Sequence, residues 1–368
     1  MTDFASIPIA QPGLAHTLFQ AAIAIGRLDQ ALAGHPLRPA FLYRARLEAV
    51  RRQAAADGAA IDPWHLAAIL EGLRLRMDHA LRIIDRGTIF AAARHALGLH
   101  QWLIAPDAGQ QEAIRRAETA LARPATPLLA AAGGCAAWLA ANGARAPMRA
   151  ALVRHWHRHG LLRTPVPLTA PAALRAATAS PADDWSVAFL TALAEEAEDG
   201  RQMLFDLERA WFAARSAASG RRRTSRATLA IDLMAAAPLV SATSLAAGLG
   251  MAVKNAAALL DAFCVAGIAV EVTHRSARRL FGLAGLAPLR EGVAPPRRPV
   301  PGRGRGRPPR PSAEELTPSQ PLPPAPPLTP IERHRFDYGD LHAAMALVDA
   351  ATRQAHHRLD RLCGPSVS

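Results

Sequence analysis

SATSLAAGLGMAVKNAAALLDAFCVAGIAVEVTHRSARRLFGL, residues 241–283, is the stretch on which the reading of this chain turns. Ser241, Thr243 and Ser244 supply the hydroxyls that cap a helix start. SLAAGLG is then a short helix closed by Gly250, and VKNAAALLDAFCVA is a longer one closed by Gly267. Glycine ends helices because it enters the left-handed conformation without strain. Two alternating apolar segments follow, Ile268–Thr273 and Arg279–Leu283, separated by His274, Arg275, Ser276, Ala277 and Arg278. Upstream, Ala227–Ala237 reads as a helix stopped by Pro238. Helix, short helix, tight turn, longer helix and hairpin is the order of a winged helix-turn-helix.

In such a motif the second helix of the pair offers its N-terminal residues to base edges. Here those residues are Lys254 and Asn255, followed by the short side chains of Ala257 and Ala258. Val253, Ala256, Leu260 and Phe263 are expected to face inward. Asn255 suits the two-point edge of an adenine, and Lys254 suits guanine or a phosphate. Ser244, at the start of the preceding helix, is a further candidate contact. His274, Arg275, Arg278 and Arg279 fall at the hairpin tip, where a wing meets the backbone or the minor groove. Arg221, Arg222, Arg223 and Arg226 precede the first helix and would add phosphate contacts without sequence information.

Moving outward, composition changes sharply after Leu289. Residues 291–330 are rich in Pro, Arg and Gly, cannot bury a core, and are expected to be disordered or polyproline-like. They contain GRGRGRPPRP, with Arg303, Arg305, Gly306, Arg307, Pro308 and Arg310. Arg-Gly-Arg-Pro resembles the core of an AT-hook. Glycine lets an extended backbone approach the floor of a narrow A·T minor groove, where the arginines meet an enhanced negative potential. A last helix, within 331–363, places Leu341, Met345, Val348, Leu359 and Leu362 on roughly one face, suited to the helical domain or to a second copy of the chain.

On the N-terminal side, residues 1–217 read as one all-helical domain. Leu14, Leu18, Ile25, Leu28 and Leu32 recur at helical spacing, and Gly34-His35-Pro36 ends that helix. Asp62-Pro63 is an N-cap followed by proline at the first helical position. Leu66, Ile69, Leu70 and Leu73 continue the pattern. Pro165, Pro167, Pro171 and Pro181 rule out a long helix in 160–182. Asp183-Asp184 then caps a helix whose buried stripe is Phe189, Leu193, Leu204, Leu207 and Trp211. The fold class is mainly α: a multi-helix domain, a small winged helix-turn-helix at 221–290, a Pro/Arg/Gly-rich linker and a C-terminal helix.

Charge is concentrated where the motifs are. The chain carries +13, and residues 221–310 alone hold +11, with only Asp232, Asp261, Glu271 and Glu291 opposing 15 basic residues. The remaining 278 residues hold +2. Forty-two of the 43 basic residues are arginine, the product of a GC-rich coding sequence, so position rather than residue type is informative. A localised excess of this kind suits a polyanion. The expected partners are double-stranded DNA, A·T-rich where the hook binds, and a second copy of the chain.

Other function classes find little support. Cys135, Cys264 and Cys363 show no paired spacing, so neither a disulfide framework nor a zinc site is expected. HWHRH (155–159) puts His155 and His159 on one helix face, but arginines flank them and no carboxylate stands at ligand spacing. There is no phosphate-cradling glycine loop between strand and helix and no Gly-x-Ser-x-Gly elbow. No metal, cofactor or enzyme activity is expected. The start lacks a secretion pattern, and the apolar run Leu128–Ala141, 14 residues interrupted by Gly133-Gly134, falls short of the roughly 20 that span a bilayer. A cytoplasmic, nucleoid-associated protein without membrane contact is the expectation.

IGRLDQAL (25–32), FLYRARLEAVRRQAAADG (41–58), HLAAILEGL (65–73) and residues 244–290 together resemble a rhizobia-type, often plasmid-borne family of uncharacterised proteins. The resemblance implies a helical domain of unknown function followed by a DNA-binding helix-turn-helix, with no known target. EVTHRSARRLFGL (271–283) and the GRLD-containing start are also similar to Fic-family proteins. Those need His-Pro-Phe and Gly-Asn-Gly-Arg; here the nearest string is His35-Pro36-Leu37 and no Gly-Asn-Gly-Arg occurs, so no active-site residue carries over. The reading is a transcriptional or plasmid-associated DNA-binding regulator. The alternative is a winged helix that grips protein, in a scaffold or antitoxin-like component.

Replacing Arg305 and Arg307 with alanine should weaken binding to A·T-rich duplexes and flatten the log–log salt slope by roughly one to two units, at about 0.9 per phosphate-equivalent contact. A titration showing an unchanged slope removes the hook from the mechanism.

Overall fold

Alanine and leucine at helical spacing make helix the cheapest way for this chain to satisfy its backbone while burying one face. The computed structural model describes residues 12–61, 63–73, 86–176, 182–218, 226–274 and 278–286. Among them are twelve helices and three short strands. The first nine helices are α1 (Pro12–Leu32), α2 (Arg38–Ala56), α3 (Pro63–Leu70), α4 (Arg86–Ile104), α5 (Ala108–Leu121), α6 (Pro127–Ala140), α7 (Arg145–Arg158), α8 (Pro171–Ala176) and α9 (Ala182–Ala217). No single helix among the described residues is long and apolar enough to cross a membrane.

α9, 36 residues long, is the spine, and α1 lies along it. Its stripe of Phe189, Leu193, Leu204, Leu207 and Trp211 is buried, as the periodicity requires, together with Ile25, Leu28 and Leu32 of α1. α5 opens with a reciprocal cap: Asp107 accepts from the Gln110 amide and the Gln110 side chain accepts from the Asp107 amide. Gly134, which interrupts the apolar run, has a packing reason. A Cβ there would stand 2.5 Å from the Ala120 carbonyl oxygen of α5, so only glycine permits the approach of α6. The helix expected to begin at a cap of Asp183-Asp184 starts instead at Ala182, which puts both aspartates inside its first turn. Asp62, expected to cap α3, lies outside the described residues.

Two polar knots, one partly and one fully buried, fix the helices in register. Asp57, the residue closing α2, accepts from Arg149 Nη1 and Nη2 at 2.7 Å each, from Arg145 at 3.2 Å, and faces His95 Nε2 at 2.9 Å. Although burial opposes ionisation, the hydrogen bonds from Arg149 and His95 hold the Asp57 carboxyl down to about 2. The second knot fastens the proline-containing stretch before α8. Glu196 of α9 accepts from the Thr169 and Ala170 amides at 2.7 and 2.9 Å, and Trp156 Nε1 donates to the Leu168 carbonyl at 2.8 Å. Burial pushes the Glu196 carboxyl up to about 7, against the pull of those two amides.

The sign of this linkage is definite. A folded-state pKa near 7 against an unfolded value near 4.5 means that the folded chain holds the extra proton between those limits, so stability falls as pH rises through them. Relative to the wild type, Glu196→Gln should therefore become increasingly stable from pH 4.5 to 7, by up to roughly 3 kcal/mol at the upper end. Parallel denaturant titrations across that range check this; a pH-independent difference between the two proteins would overturn it. The Asp57 transition, at lower pH, lies outside the window.

Candidate nucleic-acid interface

Beyond α9 the chain forms α10 (Ala227–Ala236), β1 (Val240–Ser241), α11 (Ala242–Leu249), α12 (Val253–Val265), β2 (Ala269–Glu271) and β3 (Leu280–Leu283). β3 is central, antiparallel to both neighbours, in the order β1-β3-β2, with Val240 opposite Phe281 and Val270 opposite Gly282. The axes of α11 and α12 turn by 113° across a three-residue break, within the range of helix-turn-helix pairs. This is a winged helix-turn-helix. Ser241 caps α11 by accepting from the Ser244 amide, and Gly250 closes it at φ 58°.

The helices upstream hold the winged elements from behind. Contacts gather the described residues into one compact unit. Arg44 of α2 donates from Nε to the Ala235 carbonyl at 2.6 Å and from Nη2 to the Met234 and Ala237 carbonyls at 3.1 and 3.3 Å. A buried cation thus takes the orphan carbonyls at the negative end of α10. Burial pushes its guanidinium down to about 10, still charged at neutral pH. Asp232 of α10 accepts from Trp211 Nε1 at 2.7 Å and Arg215 Nη1 at 2.9 Å, both on α9. Ala67, Ala68 and Leu73 share one apolar cluster with Leu239, Val272 and Leu280, flanked by Trp64 and Val270.

Among the described residues, the opposite side is left uncovered. α12 packs chiefly against α11 and β2. Ala256, Leu260 and Phe263 point inward as expected. Val253 does not: it is 49% exposed, a correction to its expected inward position, at the very first residue of α12, where the chain has just left the turn after α11. Lys254 and Asn255 are exposed on the first turn of α12, with Ala258 and Asp261 further along. Arg278, in the left-handed region at φ 51°, is exposed on the wing.

Other candidate residues are engaged within the chain. Arg279 pairs with Asp261 at 2.7 Å and lies over the Phe281 ring, tying wing to α12. Arg226 donates to the Leu249 and Gly250 carbonyls, the latter at 2.7 Å, and so closes the turn between α11 and α12. Ser244 donates its hydroxyl to Glu71. At the wing, Glu271 accepts from the Thr273 amide at 2.8 Å, the Thr273 hydroxyl and the His274 amide at 3.1 Å, which holds His274 at φ 50°. Arg221, Arg222, Arg223, Arg275, Arg303, Arg305, Gly306, Arg307, Pro308 and Arg310 lie outside the described residues, as do the 291–330 linker and the C-terminal helix expected in 331–363.

Elsewhere, His155 is buried and its Nε2 bonds the Pro127 carbonyl at 3.0 Å, while His159 beside it is exposed. A cleft of about 420 Å³ is lined by Trp102, Leu103, Val153, Arg154, His157 and Pro165. Its Arg154 donates to Gln111 at 2.8 Å, and the neighbouring Arg158 pairs with Glu118 at 3.0 Å. What sequence reading missed is the involvement of Arg44 and Glu71, whose partners stand 170 or more positions away. No local pattern marks such a pairing.

Fold and exposed face together define a winged-helix arrangement in which, among the described residues, the outer side of α12 is open and the reverse side of the winged elements is built into a helical body. No family model matches the chain, and no curated protein matches it.

Arg44→Ala should cost about 2–3 kcal/mol, since it strips charge-assisted donors from buried carbonyls. Because the apolar cluster is shared, thermal unfolding should stay a single transition that moves as one. Two separated transitions in the variant would show that the winged elements stand alone.

Proposed function

We infer that the protein is a DNA-binding regulator, transcriptional or plasmid-associated, whose α12 reads a major groove. The observation that carries this reading is the uncovered first turn of α12 with Lys254 and Asn255, beside a wing whose Arg278 is exposed. The confinement of the chain's charge to 221–310 supports it, as does the resemblance to a family with a DNA-binding helix-turn-helix. The hook-like segment would grip an adjacent A·T-rich minor groove, and its tether would raise its local concentration there. The helical body would then dimerise or sense a signal, and the protein would sit with the nucleoid.

A second reading has its own observation. Val253 and Val265 are 49% and 91% exposed at the two ends of α12, and exposed apolar side chains suit a protein partner better than a phosphate backbone. In that case α12 grips protein, and duplex binding is only a salt-erased background.

The full-length chain is the right object, because an isolated winged helix would lose Arg44 and half of the shared cluster. Fluorescence anisotropy on A·T-rich and G·C-rich duplexes should give binding that persists at near-physiological salt. Asn255→Ala should reduce sequence preference while leaving the salt slope alone. Arg278→Ala should weaken all duplexes alike and lower the slope by about 0.9. Weak binding erased by salt in every case, with a stable protein partner in pull-downs, would reject the DNA reading.

A further inference from the structure

The start of α11 is held by a carboxylate from far upstream. Glu71 Oε2 accepts from the Ser241 amide at 3.1 Å and from the Ser244 hydroxyl. The Ser244 amide donates to Ser241 Oγ at 3.0 Å, and the two hydroxyl oxygens are 2.8 Å apart. A carboxylate only accepts, so the single proton of the Ser244 hydroxyl points to Glu71, and that of Ser241 must point to Ser244. Two protein donors are thereby aligned on one anion at the positive end of the α11 dipole, the second braced by the Ser241 hydroxyl.

In a helix-turn-helix laid on a duplex, the first helix of the pair crosses the sugar–phosphate backbone. Hydroxyls and amides at a helix N-terminus are the groups that hold phosphate oxygens there. Glu71 occupies that place in this chain. It is carried on the turn after α3, with its amide bonded to the Ala67 carbonyl and Gly72 following at φ 70°. The apolar anchors on the same segment, Trp64, Ala67, Ala68 and Leu73, are separate side chains. The carboxylate can therefore leave α11 without exposing the shared core.

We propose that Glu71 is an internal stand-in for a DNA phosphate, by which the helical body restrains the winged helix until duplex displaces it. This rests on the DNA reading above. A plain helix cap would make a different forecast: loss of Glu71 would lower stability and leave DNA affinity where it was.

The test compares full-length wild type, Glu71→Gln, Glu71→Asp and Glu112→Gln by fluorescence anisotropy on an A·T-rich duplex across a salt series, with a melting curve for each. Glu112 is exposed on α5, away from the winged elements, and controls for net charge. Glu71→Gln should bind roughly tenfold tighter at near-physiological salt, with a slope steeper by about 0.9, one further phosphate contact. Glu71→Asp keeps the charge but is one methylene too short to meet both donors, and should gain roughly threefold; it carries the test if the glutamine variant melts early. Glu112→Gln should match the wild type. Tight wild-type binding with no gain in either Glu71 variant overturns the restraint and leaves the DNA reading standing. Failure of every protein to bind duplex overturns both.

Discussion

The guanidinium of Arg44, buried among three carbonyls at the end of α10, is the contact on which the arrangement of the molecule depends. It satisfies groups that helix geometry necessarily leaves unpaired, and among the described residues no carboxylate pairs with it. The attraction is between a full charge and the partial charges of a helix terminus. Glu71 does the converse at the start of α11. A cation closes one helix of the winged element and an anion opens the next, and both belong to the body behind. Direction as well as position is thereby set: α12 is left facing away from that body.

Arginine is abundant in this chain, and many of its described guanidinia are engaged within the fold. Arg149 and Arg145 converge on Asp57, Arg226 closes the helix-turn-helix corner, and Arg279 is held by Asp261. These pairings convert a compositional bias into architecture. The cations that project from the described interface are Lys254 and Arg278, a short list on which electrostatic attraction there would concentrate.

Local signals carried much of the fold. The α9 stripe, the Ser241 cap, Gly250 and Gly267 all do what spacing and turn chemistry imply, because each acts within one or two turns of helix. Val253, assigned inward by periodicity, is half exposed, since periodicity assigns a face but not how much cover the first residue of a helix receives. Ser244 was read as free to meet DNA; its partner Glu71 is invisible to any window of sequence. Arg226 and Arg279 looked like surface charge for the same reason. The site was legible as a set of exposed positions, and illegible as a network of pairings.

Because Arg44, Trp64, Ala67, Ala68 and Leu73 help to form the rear wall of the winged element, that element is not an interchangeable cassette. Recombination that carried residues 227–283 alone into another gene would move α12 without its backing. A lineage could trade this module only by moving α2 and α3 along with it, and those lie on the far side of more than a hundred residues of intervening chain. The two parts are therefore bound to be inherited together, and to change in step.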